Sequence, residues 1–140
     1  MVTDNKSYWT YKGNTVTAIE DLPSQTVGFI YLITNVETGQ YYIGKKSLYS
    51  HRTLPPLKGT KRKRKVTKES KWQEYMSSNP EVQQWSSYTK EILECCNTPK
   101  ELTFRETEAL FCLKTMEDDR CVNSSILGKF YPRDVLREII

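Results

Sequence analysis

Residues 27–46 read VGFIYLITNVETGQYYIGKK, and this stretch decides the fold. The run VGFIYLIT at 27–34 is dense in β-branched and aromatic side chains, the composition of a strand. NVETG at 35–39 supplies Asn and Gly where a turn needs them. QYYIGKK follows and reads as a second strand ending near Gly44. Two such strands with a short turn between them predict an antiparallel hairpin. Tyr31 and Tyr42 then lie on adjacent strands, where side chains on one face come within contact. Gly44 lets the backbone pass close to a ligand or turn sharply. Arg52 lies ten residues beyond Tyr42, where a following helix would return it to the same face.

Working outward, SYTKEILECC at 87–96 alternates Tyr88, Lys90, Ile92 and Glu94 and favours a third strand over a helix end, since it precedes a clear helix start and would complete a small sheet. Thr98-Pro99-Lys100-Glu101 has the pattern of a helix cap with Pro in the first turn. The helix it opens runs to about Met116 and turns Leu102, Ala109, Leu110 and Leu113 to the core. Residues 45–57 predict a short helix or an irregular turn before Pro55. Trp72, Tyr75 and Met76 at helical spacing predict a short amphipathic helix over 69–78, and a loop with a short terminal helix closes 117–140. Residues 1–22 read as an N-terminal arm or short extension, in which Tyr8, Trp9 and Tyr11 form a short strand or pack across the domain, set off by Pro23 from a domain over 23–140. Together these elements make an α+β domain, with a three-stranded, mostly antiparallel sheet flanked by helices.

At 140 residues and 37% hydrophobic content the chain supports one conventional core and argues against disorder. No run approaches a membrane span, and the N-terminus lacks the apolar centre of a signal peptide, which predicts a cytoplasmic protein without membrane contact. Cys95, Cys96, Cys112 and Cys121 form no CxxC pair, and the sole histidine, His51, is distant in sequence; buried thiols are expected rather than a zinc site. The net charge of +4 hides its distribution. Residues 58–71 carry eight Lys/Arg and one Glu, so this stretch holds more than the whole net charge. Without a hydrophobic period, it reads as an exposed basic loop inserted into the domain. Its Lys58, Lys61, Arg62, Lys63, Arg64, Lys65 and Lys68, with Lys45 and Lys46, are suited to salt-dependent contact with a nucleic-acid backbone.

The ordered set of these residues resembles the GIY-YIG nuclease superfamily. Phe29-Ile30-Tyr31, preceded by Gly28, stands where the family has Gly-Ile-Tyr, and Tyr42-Ile43-Gly44 matches Tyr-Ile-Gly unchanged. Arg52 matches the family's arginine in its spacing from the second tyrosine. The family's metal-binding glutamate corresponds to Glu106 as first choice and Glu108 as second, and its asparagine to Asn123. The resemblance spans about residues 27–123 and treats the basic stretch as an addition to the shared frame.

The resemblance implies a metal-dependent endonuclease acting on double-stranded DNA, with Mg²⁺, or Mn²⁺ in its place, held by the glutamate. Phosphodiester hydrolysis needs an activated water, charge stabilisation on the nonbridging oxygens and help for the leaving 3′ oxygen. A carboxylate such as Glu106 suits a hard divalent cation, and Arg52 presents a planar donor fork to a phosphate. Tyr31 would take the proton of the attacking water while Tyr42 orients water or phosphate. A free phenol has a pKa of about 10, so a cation such as Lys46, Arg52 or the metal must lower it. His51 either faces solvent or assists at the phosphate. Asn123 either caps local backbone or fixes the geometry around the metal-bearing helix. A homing-type or phage-borne nuclease, a restriction-like enzyme and a repair or recombination nickase all fit, as monomer or homodimer. A binding module that keeps the fold without cleavage, or an assembly protein with a basic loop, are the alternatives from other classes.

Overall fold

The computed structural model describes residues 7–135. Two short strands come first, β1 (Trp9–Tyr11) and β2 (Asn14–Val16). The hairpin follows as β3 (Gly28–Asn35) and β4 (Tyr41–Ser47), and then β5 (Tyr49–Leu54) and β6 (Arg64–Glu69). A single-turn helix, α1 (Pro80–Gln83), precedes β7 (Tyr88–Cys96) and the main helix α2 (Pro99–Cys112).

The hairpin forms as its sequence requires. Asn35 Oδ1 accepts from the backbone N–H of Glu37 at 2.9 Å and Thr38 at 3.3 Å, and Gly39 takes a φ of +79° that suits glycine. Strand β7 lies antiparallel on the other side of β3. Helix α2 starts at the expected cap: Thr98 Oγ1 accepts from Glu101 N at 3.0 Å, and Glu101 Oε1 accepts from Asn97 N at 2.9 Å. It ends earlier than its periodicity suggests, with Lys114 in the left-handed region at φ +51°. Leu113 is consequently exposed, whereas Leu102 and Leu110 are buried.

The sheet has five strands in the order β2-β1-β7-β3-β4, and not the three expected. The additional strands come from the segment read as an arm. Strand β1 adds parallel to β7, with Trp9 opposite Lys90, and β2 folds back antiparallel on β1. Three-residue strands carry too little alternation to register as a period. Of the arm, residues 1–6 lie outside those described, as does most of the expected terminal helix, whose first residues form a 3₁₀ turn at Pro132–Val135.

The sheet divides the core into two layers. On one face Phe29, Tyr31, Ile33 and Ile92 pack with Trp9, Leu48, Trp72 and Val82. On the other, Ile30, Ile43 and Cys96 pack under Leu102 and Leu110 of α2, together with Met116 and Ile126. The cysteines are free, but only Cys96 is buried; Cys112 is exposed at the end of α2, against the expectation of four buried thiols. Among the described residues no helix is long and apolar enough to cross a membrane.

The expected helix over 69–78 is a run of turns. Its carbonyls go to tertiary partners instead: Trp9 Nε1 donates to Trp72 O at 2.7 Å, and Lys90 Nζ donates to Gln73 O at 3.0 Å and Tyr75 O at 2.9 Å. The Lys90 ammonium also sits 4.3 Å from the Trp9 ring centroid. Lys90 is only 3% exposed, and burial lowers its pKa from 10.5 to about 8, with Glu74 opposing. Lys90→Met is expected to destabilise the fold by about 2 kcal/mol, because two carbonyls lose their donor. Folded Lys90 releases its proton near pH 8, whereas the unfolded chain holds it to 10.5. Stability attributable to this group should therefore rise with pH between these values and be absent from the variant. Urea titrations of both proteins at pH 7, 8 and 9.5 check this.

Candidate active site

The register of the hairpin sets the site. Tyr31 stands opposite Gly44, Ile33 opposite Tyr42 and Phe29 opposite Lys46, so Tyr31, Tyr42 and Lys46 project from one face. The Tyr31 and Tyr42 rings are 6.2 Å apart. Gly44 makes this possible: a Cβ there would meet the Tyr31 hydroxyl and Cζ below contact distance and Tyr42 Cε1 at 3.0 Å. The tyrosine ring occupies the space above the glycine.

A third phenol completes the cluster. Tyr75, carried on the turns that Lys90 holds down, packs edge-on against Tyr31 at 5.9 Å, and Lys46 Nζ lies 4.4 Å from the Tyr75 ring centroid. The Tyr31 hydroxyl bonds with those of Tyr75 and Ser77, and the Tyr42 hydroxyl with Ser78 and Ser77, so Ser77 links the two motif tyrosines. Ser77 is buried with φ at +98°, a conformation that L residues rarely adopt. Asn79 N donates to its Oγ at 2.9 Å and Gln83 Nε2 to its carbonyl at 2.8 Å, which holds it there. The sequence offered no warning of Tyr75, Ser77 and Ser78; their spacing had the appearance of a helix, and only the tertiary contacts show otherwise.

Burial pushes the Tyr31 phenol well above its ordinary value, and the neighbouring phenols Tyr75 and Tyr42 push it further. Burial also raises Tyr42, which feels the negative charge of Glu106 as well. Both phenols are therefore neutral at pH 7 and stand as hydrogen-bonding groups until a cation arrives.

Strand β4 is the sheet edge, and its outward backbone groups are closed one after another. Tyr41 N donates to Arg120 O at 2.9 Å, and Val122 N donates to Tyr41 O at 2.9 Å. Asn123 then pairs with Ile43 as a strand would, accepting from its N–H at 2.9 Å and donating to its carbonyl at 2.8 Å. The Glu106 carboxylate, on α2, accepts from the Lys45 N–H. Burial raises the Glu106 pKa, and the Lys45 charge and N–H oppose the rise. Glu106 thus lies at the hairpin edge within electrostatic reach of Tyr42. Glu108 is turned away, with its Oε1 2.9 Å from Arg105 Nη1 in an exposed ion pair. Lys45 Nζ is exposed and donates to Thr103 Oγ1 at 2.7 Å.

His51 and Arg52 lie on the next strand, in the second, two-stranded sheet. The expected helix or turn after β4 is the strand β5, and the basic loop is in part the strand β6. The two pair antiparallel over six residues, from Tyr49 opposite Glu69 to Leu54 opposite Arg64. No hydrophobic alternation announced them because both faces of the ribbon are exposed. His51 Nδ1 is 3.1 Å from Thr67 Oγ1, and exposed Arg52 faces outward opposite Val66. Lys58, Lys61, Arg62 and Lys63 lie in the connecting loop, with Arg64, Lys65 and Lys68 on β6. The cation that accompanies the tyrosine face is Lys46.

Among the described residues no three of His, Cys, Asp and Glu converge as a preformed metal cluster. Glu106 offers a single carboxylate. That donor set fits a Mg²⁺-type ion that keeps several waters and takes further oxygens from a phosphate.

A tyrosine pair on an antiparallel hairpin, a glycine under the first ring, and a glutamate and asparagine on the hairpin edge define a GIY-YIG domain. Residues 9–130 match the family described as "Putative endonuclease segE, GIY-YIG domain", and the chain belongs to that nuclease family. No curated protein and no solved structure matches.

Gly44→Ala is expected to force the Tyr31 ring from its place at a cost of about 1–3 kcal/mol. It should also change near-ultraviolet circular dichroism from the tyrosine cluster. Denaturant titration with that spectrum checks both.

Proposed function

We propose that the chain is a divalent-metal-dependent endonuclease that hydrolyses phosphodiester bonds of double-stranded DNA at the face bearing Tyr31, Tyr42 and Lys46. The observation that carries this reading is the position of Glu106, bonded to the Lys45 N–H beside the two motif tyrosines. Family membership supports nuclease chemistry in general.

Glu106 would hold the Mg²⁺ or Mn²⁺, which supplies positive charge to the nonbridging phosphate oxygens and the leaving 3′ oxygen when bound. Lys46 binds a phosphate oxygen next to the phenols. Tyr42, half-buried on the edge strand, orients the attacking water. Tyr31 is deeper and neutral, with its hydroxyl in the Ser77 network. It takes the water's proton once cationic charge at the site offsets the burial that keeps its pKa high. Asn123 acts on this arrangement by fixing the β4 edge rather than by touching phosphate. Arg52 meets DNA on the ribbon.

Incubation with supercoiled plasmid in Mg²⁺, Mn²⁺ and EDTA tests the reading. Metal-dependent nicking is expected from the native chain. Glu106→Gln keeps an acceptor for the Lys45 N–H but removes the charge, and should lower the nicking rate by at least about 100-fold with stability retained. Tyr31→Phe removes only the hydroxyl, and loss of a proton acceptor of this kind costs roughly 10²–10⁴-fold. Normal rates in both folded variants would sink the assignment. Tight, salt-sensitive binding without cleavage by the native chain would favour the inactive binding module.

A further inference from the structure

Beyond its root, where Tyr49 packs against the core and Glu69 accepts from Trp72 Nε1, the β5–β6 ribbon adds little to the core, and its architecture is more specific than a basic patch. Nearly every residue of both strands is exposed, while its base is tied firmly to the tyrosine-bearing hairpin. Leu48, fully buried between β4 and β5, donates its N–H to Val27 O at 2.9 Å and accepts from Ser70 N at 2.7 Å. Ser70 Oγ donates to Ser47 O at 2.7 Å. The ribbon is thus a direct continuation of the strand that carries Tyr42, Gly44 and Lys46, clamped at its root.

An isolated two-stranded hairpin is marginal in water, so one that projects beyond Tyr49 with little of either face covered and a dense positive charge is suited to a partner. Pairing places Arg52, Arg64 and Lys68 on one face, with Ser50, Leu54 and Val66 between them. The opposite face carries Tyr49, His51, Thr53, Lys65, Thr67 and Glu69. Among the described residues none of Arg52, Arg64, Lys65 or Lys68 forms an ion pair, although Arg64 Nε donates to Pro55 O at 3.3 Å near the tip. The loop beyond adds Lys58, Lys61, Arg62 and Lys63.

We propose that this ribbon enters the major groove of the duplex, with its Arg52–Arg64–Lys68 face toward the base edges and the loop lysines on the flanking phosphates. The B-form major groove, about 12 Å wide, admits a two-stranded ribbon, whereas the minor groove, about 6 Å wide, does not. Arginine is the side chain that reads guanine O6 and N7 through its donor fork. Six residue pairs at about 3.3 Å each give roughly 20 Å of ribbon, which covers about six base-pair steps to one side of the tyrosine site. The domain then holds its DNA off-centre, with phosphate chemistry at the root of the ribbon and groove contact along it. The inference rests on duplex DNA as the substrate.

Fluorescence anisotropy with a mixed-sequence 30-base-pair DNA duplex in EDTA tests it without cleavage. One variant replaces residues 54–64 by Asn-Gly, a two-residue turn that closes the ladder at Thr53–Lys65. A second, Arg64→Ala/Lys68→Ala, keeps the whole ribbon and guards against misfolding of the first. The native chain is expected to be displaced by a major-groove dye such as methyl green and unaffected by a minor-groove ligand such as netropsin. It should also bind an RNA duplex of the same sequence at least about fivefold more weakly, because the A-form major groove is too deep and narrow for side chains to read. Both variants should bind DNA about tenfold or more weakly with a shallower salt dependence, and the shortened one should lose its sensitivity to methyl green. Displacement by netropsin instead, equal affinity for RNA, or unchanged binding by both variants would overturn the proposal. Each of these results is independent of nicking, so failure of the nuclease reading would show separately as a native chain that never cleaves plasmid in Mg²⁺ or Mn²⁺.

Discussion

The Tyr31 ring lies over Gly44, in the space where any other residue would place its side chain. This packing constrains much else in the molecule. It requires Tyr31 and position 44 to face each other across β3 and β4, and a slip of one residue would turn every side chain of one strand to the opposite face. With the register held, Tyr42 and Lys46 fall on the same face as Tyr31, and Ile30 and Ile43 fall on the other, where α2 packs. Helix α2 in turn brings Glu106 to the edge of β4. One ring–glycine contact thereby couples the aromatic face to the carboxylate that lies beside it.

The edge strand is the second organising feature. An unpaired sheet edge invites association with another chain, and this one is closed by three dissimilar devices at alternate residues. Backbone from Arg120 and Val122 covers Tyr41, the Asn123 amide covers Ile43, and the Glu106 carboxylate covers the Lys45 N–H. Two of these three are the polar residues that the proposed chemistry needs in fixed positions. Edge protection and placement of the polar groups are therefore the same set of hydrogen bonds. Glu106 is half-buried and held at an elevated pKa, which suits a group whose charge is to be satisfied by a cation rather than by water.

The hairpin, β7 and the start of α2 were legible because each has a strong local cause: β-branched runs, an Asn/Gly turn, and a Thr-Pro-x-Glu cap. What escaped was set by distant partners. Trp72, Tyr75 and Met76 have helical spacing, but Trp9 and Lys90 capture the carbonyls a helix would use. A short strand at β1 was one reading of Tyr8, Trp9 and Tyr11, but β2 and the docking of both on β7 left no local mark, and β6 has no buried face to alternate. At the candidate site the sequence spacing reached Tyr31, Tyr42, Gly44, Glu106 and Asn123, which the fold assembles around the hairpin. It also reached Lys46, on the face of the two tyrosines, and it missed Ser77, whose left-handed backbone no local signal marks; Arg52 lies on a strand, β5, where a helix was expected.

The central claim is that the β4 edge beside Tyr42 binds a divalent ion through Glu106 when a phosphate is present. Paramagnetic line broadening tests it most directly, with Mn²⁺ titrated into ¹⁵N-labelled protein bound to a nuclease-resistant phosphorothioate duplex. The account predicts that the amides of residues 43–46 and 105–107 broaden first, and that Glu106→Gln abolishes this selectivity. Broadening confined to the β5–β6 ribbon, or unchanged in the variant, would contradict it.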